Sequence, residues 1–377
     1  MPLLLNDNQA MLRDTARPFL AKQAPVSHLR MLRDSNDPEG FSRELWLKFG
    51  AMGFTGILLS EEDGGLGLGH VEAGVVLEEI GRNLTPSPFL STAVGASAML
   101  AEAGVDLKAR WLPAILSGEA VVAVAVDETA QHRPERIGLR AKRSADGFRL
   151  DGVKTFVPQG HIADLVIVAA RTSGSEMDAR GVTLLAVPAS TALQAAPVRL
   201  IDASLVSDLR FEGLAVGADS VIGQVDQGGS ILSRALDALR AGIAAEQLGV
   251  GYGALERTVA YLKERRQFGV AIGSFQALQH RAAHLYAELE VARSAVLKAQ
   301  QLIDSGSPAA TQAVSVAKAM TDLAATLAVQ EGVQLHGGVG MTDEFDIGLF
   351  MKRAKVLSML YGGADYHADR LAGLARY

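Results

Sequence analysis

Two short runs in the last third of the chain combine arginine, aromatic and glycine residues that the apolar helical pattern around them does not explain. The first is Arg265-Arg266-Gln267-Phe268-Gly269, followed closely by Phe275-Gln276, and the second is Gln334-Leu335-His336-Gly337-Gly338-Val339-Gly340-Met341-Thr342. Arginine offers a fork of donors to an anion, and glycine lets backbone N–H groups approach a ligand closely. Because both runs interrupt apolar helical sequence, packing alone does not explain them. They predict a binding surface built from helix ends.

The elements that must position these runs follow from the period of the apolar residues. From Asn6 to about Gly118 the apolar residues recur at helical spacing, which predicts a mostly helical first block. Between about Val121 and Gly223, short β-branched or apolar runs alternate with turn signals such as Asp146-Gly147, which predicts a small all-β block. The predicted strands are the runs Val121 to Val126, Phe148 to Leu150, Leu165 to Ala169, Val182 to Val187 and Leu209 to Phe211. From Gly228 onward the pattern predicts long helices rich in Ala and Leu.

Composition excludes several classes of protein. The 377 residues are 49% apolar and 21% charged, as in an ordinary globular chain. The net charge of −6 disfavours a nucleic-acid partner, because such binding relies on clustered Lys and Arg. The absence of cysteine rules out disulfides, thiolate nucleophiles and iron–sulfur centres. No apolar run approaches the length of a membrane span, so we expect a soluble, cytoplasmic protein without a membrane partner.

Local signals for other chemistry are weak. His280 and His284 have the spacing of metal ligands on a helix, but Arg281 stands where a zinc protease has its glutamate. The glycine-rich stretch at residues 64–69 lacks the spacing of a dinucleotide fingerprint, and no Gly-x-Ser-x-Gly elbow presents a serine nucleophile. We therefore expect no metal site and no covalent hydrolase.

The two runs and the three blocks together resemble one family, the acyl-CoA dehydrogenases, over nearly the whole chain. Arg265-x-x-Phe268-Gly269 and Gln276 are similar to the flavin-binding segment of the family, and Gln334 to Gly340 is similar to its partner segment. The resemblance implies FAD as the cofactor, shared across a subunit interface. One subunit would contact the pyrophosphate and adenosine of the FAD through Arg265, Phe268 and Gln276. The neighbouring subunit would contribute Gln334, Gly337 and Gly338.

The resemblance also implies the architecture and the assembly. The expected fold is α+β, with an N-terminal α-helical domain (1–120), a middle β-barrel or β-sandwich domain (121–224) and a C-terminal four-helix-bundle domain (225–377). A shared cofactor site implies an obligate oligomer, either a homodimer or homotetramer or a hetero-oligomer with a related subunit.

The implied reaction is α,β-dehydrogenation of an acyl-CoA thioester, with electrons passed to an electron-transfer flavoprotein. A carboxylate must remove the proton next to the thioester. In many family members this glutamate lies late in the last domain, at the position that Tyr361 occupies here, and in another branch it lies at the position of Leu239. Neither residue is a carboxylate, so the chain resembles an atypical branch that lacks the usual C-terminal base.

Glu246 is the candidate for the missing base. It lies seven residues after Leu239, close to two helical turns, so both side chains project from nearly the same helix face. Its neighbours are apolar or small, which disfavours a carboxylate that is merely solvated. A branch of bacterial family members that act on bulky, steroid-like side chains carries its base in such an Ala-Ala-Glu context. A structural alternative is that an arginine or a backbone donor satisfies Glu246 inside the bundle.

Weaker expectations concern the substrate and the flavin ring. Asp237 and Arg240 match positions that contact the pantetheine chain of CoA, and Tyr361 is assigned to substrate binding. Phe156 falls where many members have a tryptophan against the flavin. However, Pro158 replaces a threonine, and the segment from Val126 to His132 departs from the family's Thr-Glu-Pro-Gly-Ala-Gly-Ser pattern.

These departures leave two alternatives to an ordinary acyl-CoA dehydrogenase. The first is a non-catalytic or half-site partner subunit of a hetero-oligomeric enzyme. The second is a flavin oxidase or monooxygenase on the same fold.

Overall fold

The computed structural model describes residues 2–189 and 193–375. Helices make up the first part of the chain, where a π-helical segment, Leu90–Ala96, precedes the fifth helix. The helices are α1 (Asp7–Gln23), α2 (Val26–Asp34), α3 (Arg43–Ala51), α4 (His70–Asn83), α5 (Ser97–Leu100) and α6 (Val105–Leu116).

Strands follow between residues 122 and 222, and helices return after them. The strands are β1 (Val122–Ala125), β2 (Arg140–Arg143), β3 (Gly147–Pro158), β4 (Leu165–Arg171), β5 (Val182–Pro188), β6 (Gln194–Arg199), β7 (Leu205–Gly217) and β8 (Val221–Ile222). The last part contains α7 (Gly228–Glu264), a hairpin of β9 (Arg266–Gln267) and β10 (Val270–Ala271), α8 (Gln276–Asp304), α9 (Ala310–His336), α10 (Ile347–Met359) and α11 (Ala364–Leu374). The α+β fold, with helical first and last parts and a sheet between them, is confirmed.

The described chain forms two compact units that do not follow the order of the sequence. One unit comprises the residues up to Asp34, His70–Pro86 and the residues from Arg240 onward. The other comprises residues 35–69 and 87–239. Each unit is described by itself below.

The helical unit contains the two runs with which the sequence analysis began. Its core joins α7, α8 and α9 through Leu248, Leu255, Leu285, Leu289 and Ala328. Helix α4 crosses α7 at very short range, because a Cβ added at Gly249 would lie 1.9 Å from the carbonyl oxygen of Glu78, and one added at Gly81 would lie 2.1 Å from that of Glu246. Only residues without a side chain permit this crossing. The crossing fixes the part of α7 that carries Glu246.

The second unit is built around an eight-stranded sheet. Its strand order is β6-β7-β3-β2-β4-β5-β8, and β1 pairs in parallel with β4. The long antiparallel pair β3 and β7 loses register between Lys154 and Val157, so β3 bulges there. This bulge positions Phe156, which is one of the predicted flavin contacts.

Residues 2–189 and 193–375 include neither a membrane-spanning helix nor a metal-binding cluster. Within them, no helix combines the length and the hydropathy that crossing a bilayer requires. The same ranges contain no group of three or more His, Asp or Glu side chains arranged to ligate a metal ion.

Candidate functional site

Phe268 lies at the tip of the β9–β10 hairpin, where its side chain is 89% exposed. The two loop residues, Phe268 and Gly269, have φ values of 53° and 82°, as in the type I′ turn that closes tight hairpins. A phenylalanine rarely adopts this backbone region, and such strain is typical of binding sites. Its ring makes an edge contact with Phe275, with 6.2 Å between the ring centroids. Arg265 precedes the hairpin and Gln276 begins α8, and both are exposed. The hairpin therefore presents an arginine, an aromatic ring and an amide to solvent.

The second run ends α9 and forms a 3₁₀ turn over Gly337–Met341. Gly337 has φ 65° and ψ −146°, a conformation that is essentially restricted to glycine. Apart from the chain neighbours and the local helix backbone, no described heavy atom lies within 4 Å of the place where a Cβ would sit at Gly337 or Gly338. Gln334, one turn earlier, is exposed as well. The backbone of this turn is thus open to a ligand.

A ring stack brings the ends of α7 and α9 together. Tyr261, one turn before Arg265, stacks on His336 with 4.5 Å between centroids, and His336 directly precedes Gly337. The His336 Nδ1 atom is 2.7 Å from the carbonyl oxygen of Gly332. Both predicted segments therefore extend from the packed ends of α7 and α9. The exposed donors and the open glycine backbone fit an anionic cofactor that also carries aromatic rings, such as FAD.

Glu246 is buried, with 3% of its surface exposed, and it pairs with an arginine. Arg353 of α10 donates from Nε and Nη2 to Glu246 Oε1, at 2.8 and 2.5 Å. The sequence neighbours of Glu246 on α7 are apolar or small, whereas Arg353 is distant in sequence and reaches Glu246 in the folded bundle. An arginine satisfying Glu246 was the structural alternative considered above. An arginine partner stabilises the negative charge of a carboxylate.

Arg240 and Tyr361 are in direct contact. Arg240 is 2% exposed, and its Nε donates to the carbonyl oxygen of Tyr361 at 3.3 Å, while Nη2 donates to the hydroxyl of Tyr366 at 3.1 Å. Asp237, one turn earlier on α7, is also buried. Tyr361 has a φ of 55° and lies in the turn between α10 and α11. Two of the three predicted substrate residues thus meet at one strained turn.

Lys318 and Asp322 of α9 also contact this turn, and the sequence analysis did not identify them. Lys318 Nζ donates to the carbonyl oxygens of Gly362 and Ser358, at 3.0 and 3.4 Å. Asp322 accepts the Ala364 N–H at 2.9 Å. Two charged residues four apart in the mostly apolar middle of α9 could have been noticed as a pair that lies on one face of the helix.

His367 of α11 is completely buried beside the same cluster. Burial, together with the positive charges of Arg240, Lys318 and Arg370, lowers the pKa of His367 from 6.5 to about 2. The native protein therefore keeps His367 neutral at pH values where the unfolded chain binds a proton. Its contribution to stability is complete above pH 6.5 and is lost as the pH falls below that value.

We expect the free energy of unfolding to drop by about 1.4 kcal/mol more in the wild type than in His367→Asn when the pH is lowered from 7.5 to 5.5. Urea unfolding followed by helical circular dichroism measures this difference. Equal pH dependence in the two proteins would contradict the assignment of the acid-labile group.

Phe156 belongs to the sheet unit. It has a φ of 55°, and its N–H donates to Asp208 Oδ1 at 3.1 Å. The preceding residue, Thr155, donates its N–H to the carbonyl oxygen of Asp127 at 2.8 Å. The Asp127 carboxylate in turn lies 2.8 Å from His132 Nδ1. The segment that departs from the family pattern is therefore joined by hydrogen bonds to the strand that carries Phe156.

Comparisons with known proteins show which family this chain resembles. The family description "Acyl-CoA dehydrogenase, N-terminal domain" matches residues 6–119, and "Acyl-CoA dehydrogenase, C-terminal domain" matches residues 226–373. Acyl-CoA dehydrogenase IpdE2 of Mycobacterium tuberculosis is 33% identical over 350 residues, covering 92% of this chain and 91% of that protein.

Two further similarities concern proteins that work in complexes. The caffeyl-CoA reductase-Etf complex subunit CarC of Acetobacterium woodii is 27% identical over 381 residues, covering 99% of each chain. The crystal structure of the ChsE4-ChsE5 complex from Mycobacterium tuberculosis has a TM-score of 0.89 at 26% identity, covering 100% of each chain.

Proposed function

The chain belongs to the acyl-CoA dehydrogenase family, and from that premise we propose that it converts an acyl-CoA thioester to the 2-enoyl-CoA with Glu246 as the base. The family predicted from the sequence is confirmed, and the chain is an FAD-dependent oxidoreductase. The observation that carries the proposal is that the segments at Phe268 and at Gly337 both present exposed side chains or open backbone, which is what each subunit must offer if two subunits share one FAD. Catalysis additionally requires a carboxylate that accepts the proton. Glu246 is the candidate, and it lies on α7, the helix that precedes Arg265.

Each proposed cofactor contact has a physical reason. Arg265 would hold the pyrophosphate through charge-assisted hydrogen bonds, and the exposed Phe268 ring would pack on the adenosine. Gln276 would donate from its amide, and Gln334, Gly337 and Gly338 would contribute from a second subunit. Phe156 would pack against the flavin ring. FAD supplies the acceptor for the hydride equivalent that leaves the acyl chain.

The roles of Glu246 and its partner follow from charge. A carboxylate base accepts a proton on an oxygen, and two N–H groups of Arg353 already donate to one oxygen of Glu246. Transfer of the proton to Glu246 requires a shift of the Arg353 guanidinium, which is possible because its side chain is 25% exposed. Asp237, Arg240 and Tyr361 would contact the CoA portion of the substrate.

The electron partner and the assembly are further parts of the proposal. An electron-transfer flavoprotein is the proposed acceptor, supported by the similarity to a subunit of an Etf complex. We also propose a cytoplasmic oligomer whose subunits have three domains, at residues 1–120, 121–224 and 225–377. A role in acyl-chain β-oxidation follows from the reaction.

One observation favours a second candidate function, a partner subunit with little chemistry of its own. The two usual positions of the base hold Tyr361 and Leu239, and Glu246 is already satisfied by Arg353. A buried ion pair of this kind can be structural only. The similarity to a two-component complex, ChsE4-ChsE5, supports the same reading.

Anaerobic titration of the purified chain with acyl-CoA thioesters tests the proposal. Butyryl-, isovaleryl-, octanoyl- and steroid side-chain thioesters form a suitable panel. We expect at least one to bleach the flavin absorbance, with one enoyl-CoA formed per flavin. A chain that gains flavin and activity only with a second polypeptide would instead establish the partner subunit. Flavin that no thioester reduces would point to an oxidase or monooxygenase.

A further inference from the structure

We propose that Lys318 and Asp322 are positioning residues that fix the turn Tyr361–Gly363 for substrate binding. The inference rests on the proposed function, because Tyr361 and Arg240 are proposed contacts of the acyl-CoA. Neither Lys318 nor Asp322 touches the substrate in this scheme. Both act through the turn between α10 and α11.

The pair supports both helices that border the turn. Lys318 Nζ donates to the Ser358 carbonyl in the last turn of α10 and to the Gly362 carbonyl in the turn itself. Asp322 Oδ2 accepts the Ser358 hydroxyl at 3.1 Å and the Ala364 N–H at 2.9 Å, where α11 begins. Unpaired backbone groups at helix ends need such partners when they are buried. One pair of side chains therefore supplies the last turn of α10 with a donor and the first turn of α11 with an acceptor.

The turn requires this support because its backbone is strained. Tyr361 and Gly362 have φ values of 55° and 101°, and the former is unfavourable for any residue with a side chain. Strain of this kind persists only where the surroundings impose it. A Cβ added at Gly362 would lie 2.2 Å from the Tyr366 ring, so no residue with a side chain fits at this position of the turn.

Further hydrogen bonds join the pair to α7, the helix that carries Arg240. Gln247 Nε2 donates to Asp322 Oδ1 at 3.1 Å, and Thr321 Oγ1 donates to Gln247 Oε1 at 3.2 Å. Lys318, Thr321 and Gln247 are almost completely buried, and Asp322 is 6% exposed. The turn is thus located relative to α7 by a buried polar network and by Arg240 itself, which donates to the Tyr361 carbonyl.

Protonation of Lys318 gives the network a pH dependence. The charged and titratable groups that face Lys318 are Asp322 on α9, Arg240 on α7 and His367 on α11, while α10 contributes the Ser358 carbonyl. Burial lowers the pKa of Lys318 to about 8, partly offset by Asp322. Above pH 8 the amine is neutral, and its hydrogen bonds to the two carbonyls weaken.

Hydrogen exchange tests the positioning role without any substrate. In Lys318→Met and Asp322→Asn, amides of the peptide that spans residues 360–366 are expected to exchange at least about 10-fold faster than in the wild type. Lys298→Met on α8, which removes an exposed lysine, serves as the matched control and should match the wild type. Unchanged exchange in both variants would overturn the proposal. This outcome does not depend on whether the proposed function is correct.

Kinetics then tests the link to the substrate, using whichever thioester of the panel bleaches the wild-type flavin most strongly. Lys318→Met is expected to raise KM about 10-fold or more with kcat changed less than about threefold and FAD content unchanged, because a misplaced contact weakens binding. The wild-type KM should also rise between pH 7 and 9, whereas the variant should show no such rise. A variant with normal KM and an unaltered pH profile would show that the pair does not position the substrate site. Circular dichroism confirms that the proteins are folded at the assay temperature.

Discussion

Replacing Glu246 by glutamine is expected to lower turnover of an acyl-CoA thioester by ~10²-fold or more, because a positioned base contributes about that much to the rate. Glutamine keeps the shape of the side chain but accepts no proton. FAD content and acyl-CoA binding are expected to stay close to those of the wild type, since the predicted cofactor residues lie on other elements. Stopped-flow bleaching of the flavin measures the chemical step directly.

Two controls separate catalysis from stability in this experiment. Glu44→Gln removes an exposed carboxylate that pairs with Lys48 on α3, and it should leave the rate of bleaching unchanged. Arg353→Met leaves Glu246 buried without its cation, so it should destabilise the fold. If Glu246→Gln and Arg353→Met both lower stability while the rate per bound flavin stays normal, the ion pair is structural and Glu246 is not the base.

Replacing Arg265 by alanine is expected to weaken FAD binding by about 10- to 100-fold, in line with the loss of hydrogen bonds to a charged group. Arg265 is exposed, so the fold should persist. Titration of the apoprotein with FAD, followed by flavin fluorescence, gives the dissociation constant.

The neighbouring arginine provides the matched control for this prediction. Arg266 pairs with Ala271 in the β9–β10 hairpin, and Arg266→Ala removes the same charge one residue away. The variant should bind FAD within a few-fold of the wild type. Equal loss of affinity in both variants would show that the hairpin attracts FAD through its net charge alone, and the specific role of Arg265 would have to be abandoned.

The sequence predicted the fold class because the apolar period changes clearly at its two boundaries. It also predicted the strands whose residues are continuously buried, such as β4 and β5. It did not predict β2 and β6, whose burial patterns show one buried residue and none. These strands are defined by pairing with β3 and β7 rather than by their own hydrophobicity, so no local pattern could identify them.

The candidate site was predictable where its residues are adjacent in sequence and unpredictable where they are distant. The Phe268-Gly269 turn and the glycines at 337 and 338 could be identified because they interrupt helical sequence. Arg353, by contrast, lies 107 residues from Glu246, and the Asp322 contact with Ala364 spans 42 residues. Such contacts depend on how the helices pack, which a single sequence does not specify.

The close crossing of α4 and α7 determines how this protein could be re-engineered. Because carbonyl oxygens lie where side chains would begin at Gly81 and Gly249, even a single methyl group there would force the two helices apart. A directed-evolution library that varies these glycines would lose folded members and would move Glu246 in the survivors. Libraries aimed at a new acyl specificity should therefore keep both glycines and diversify side chains on the opposite face of α7.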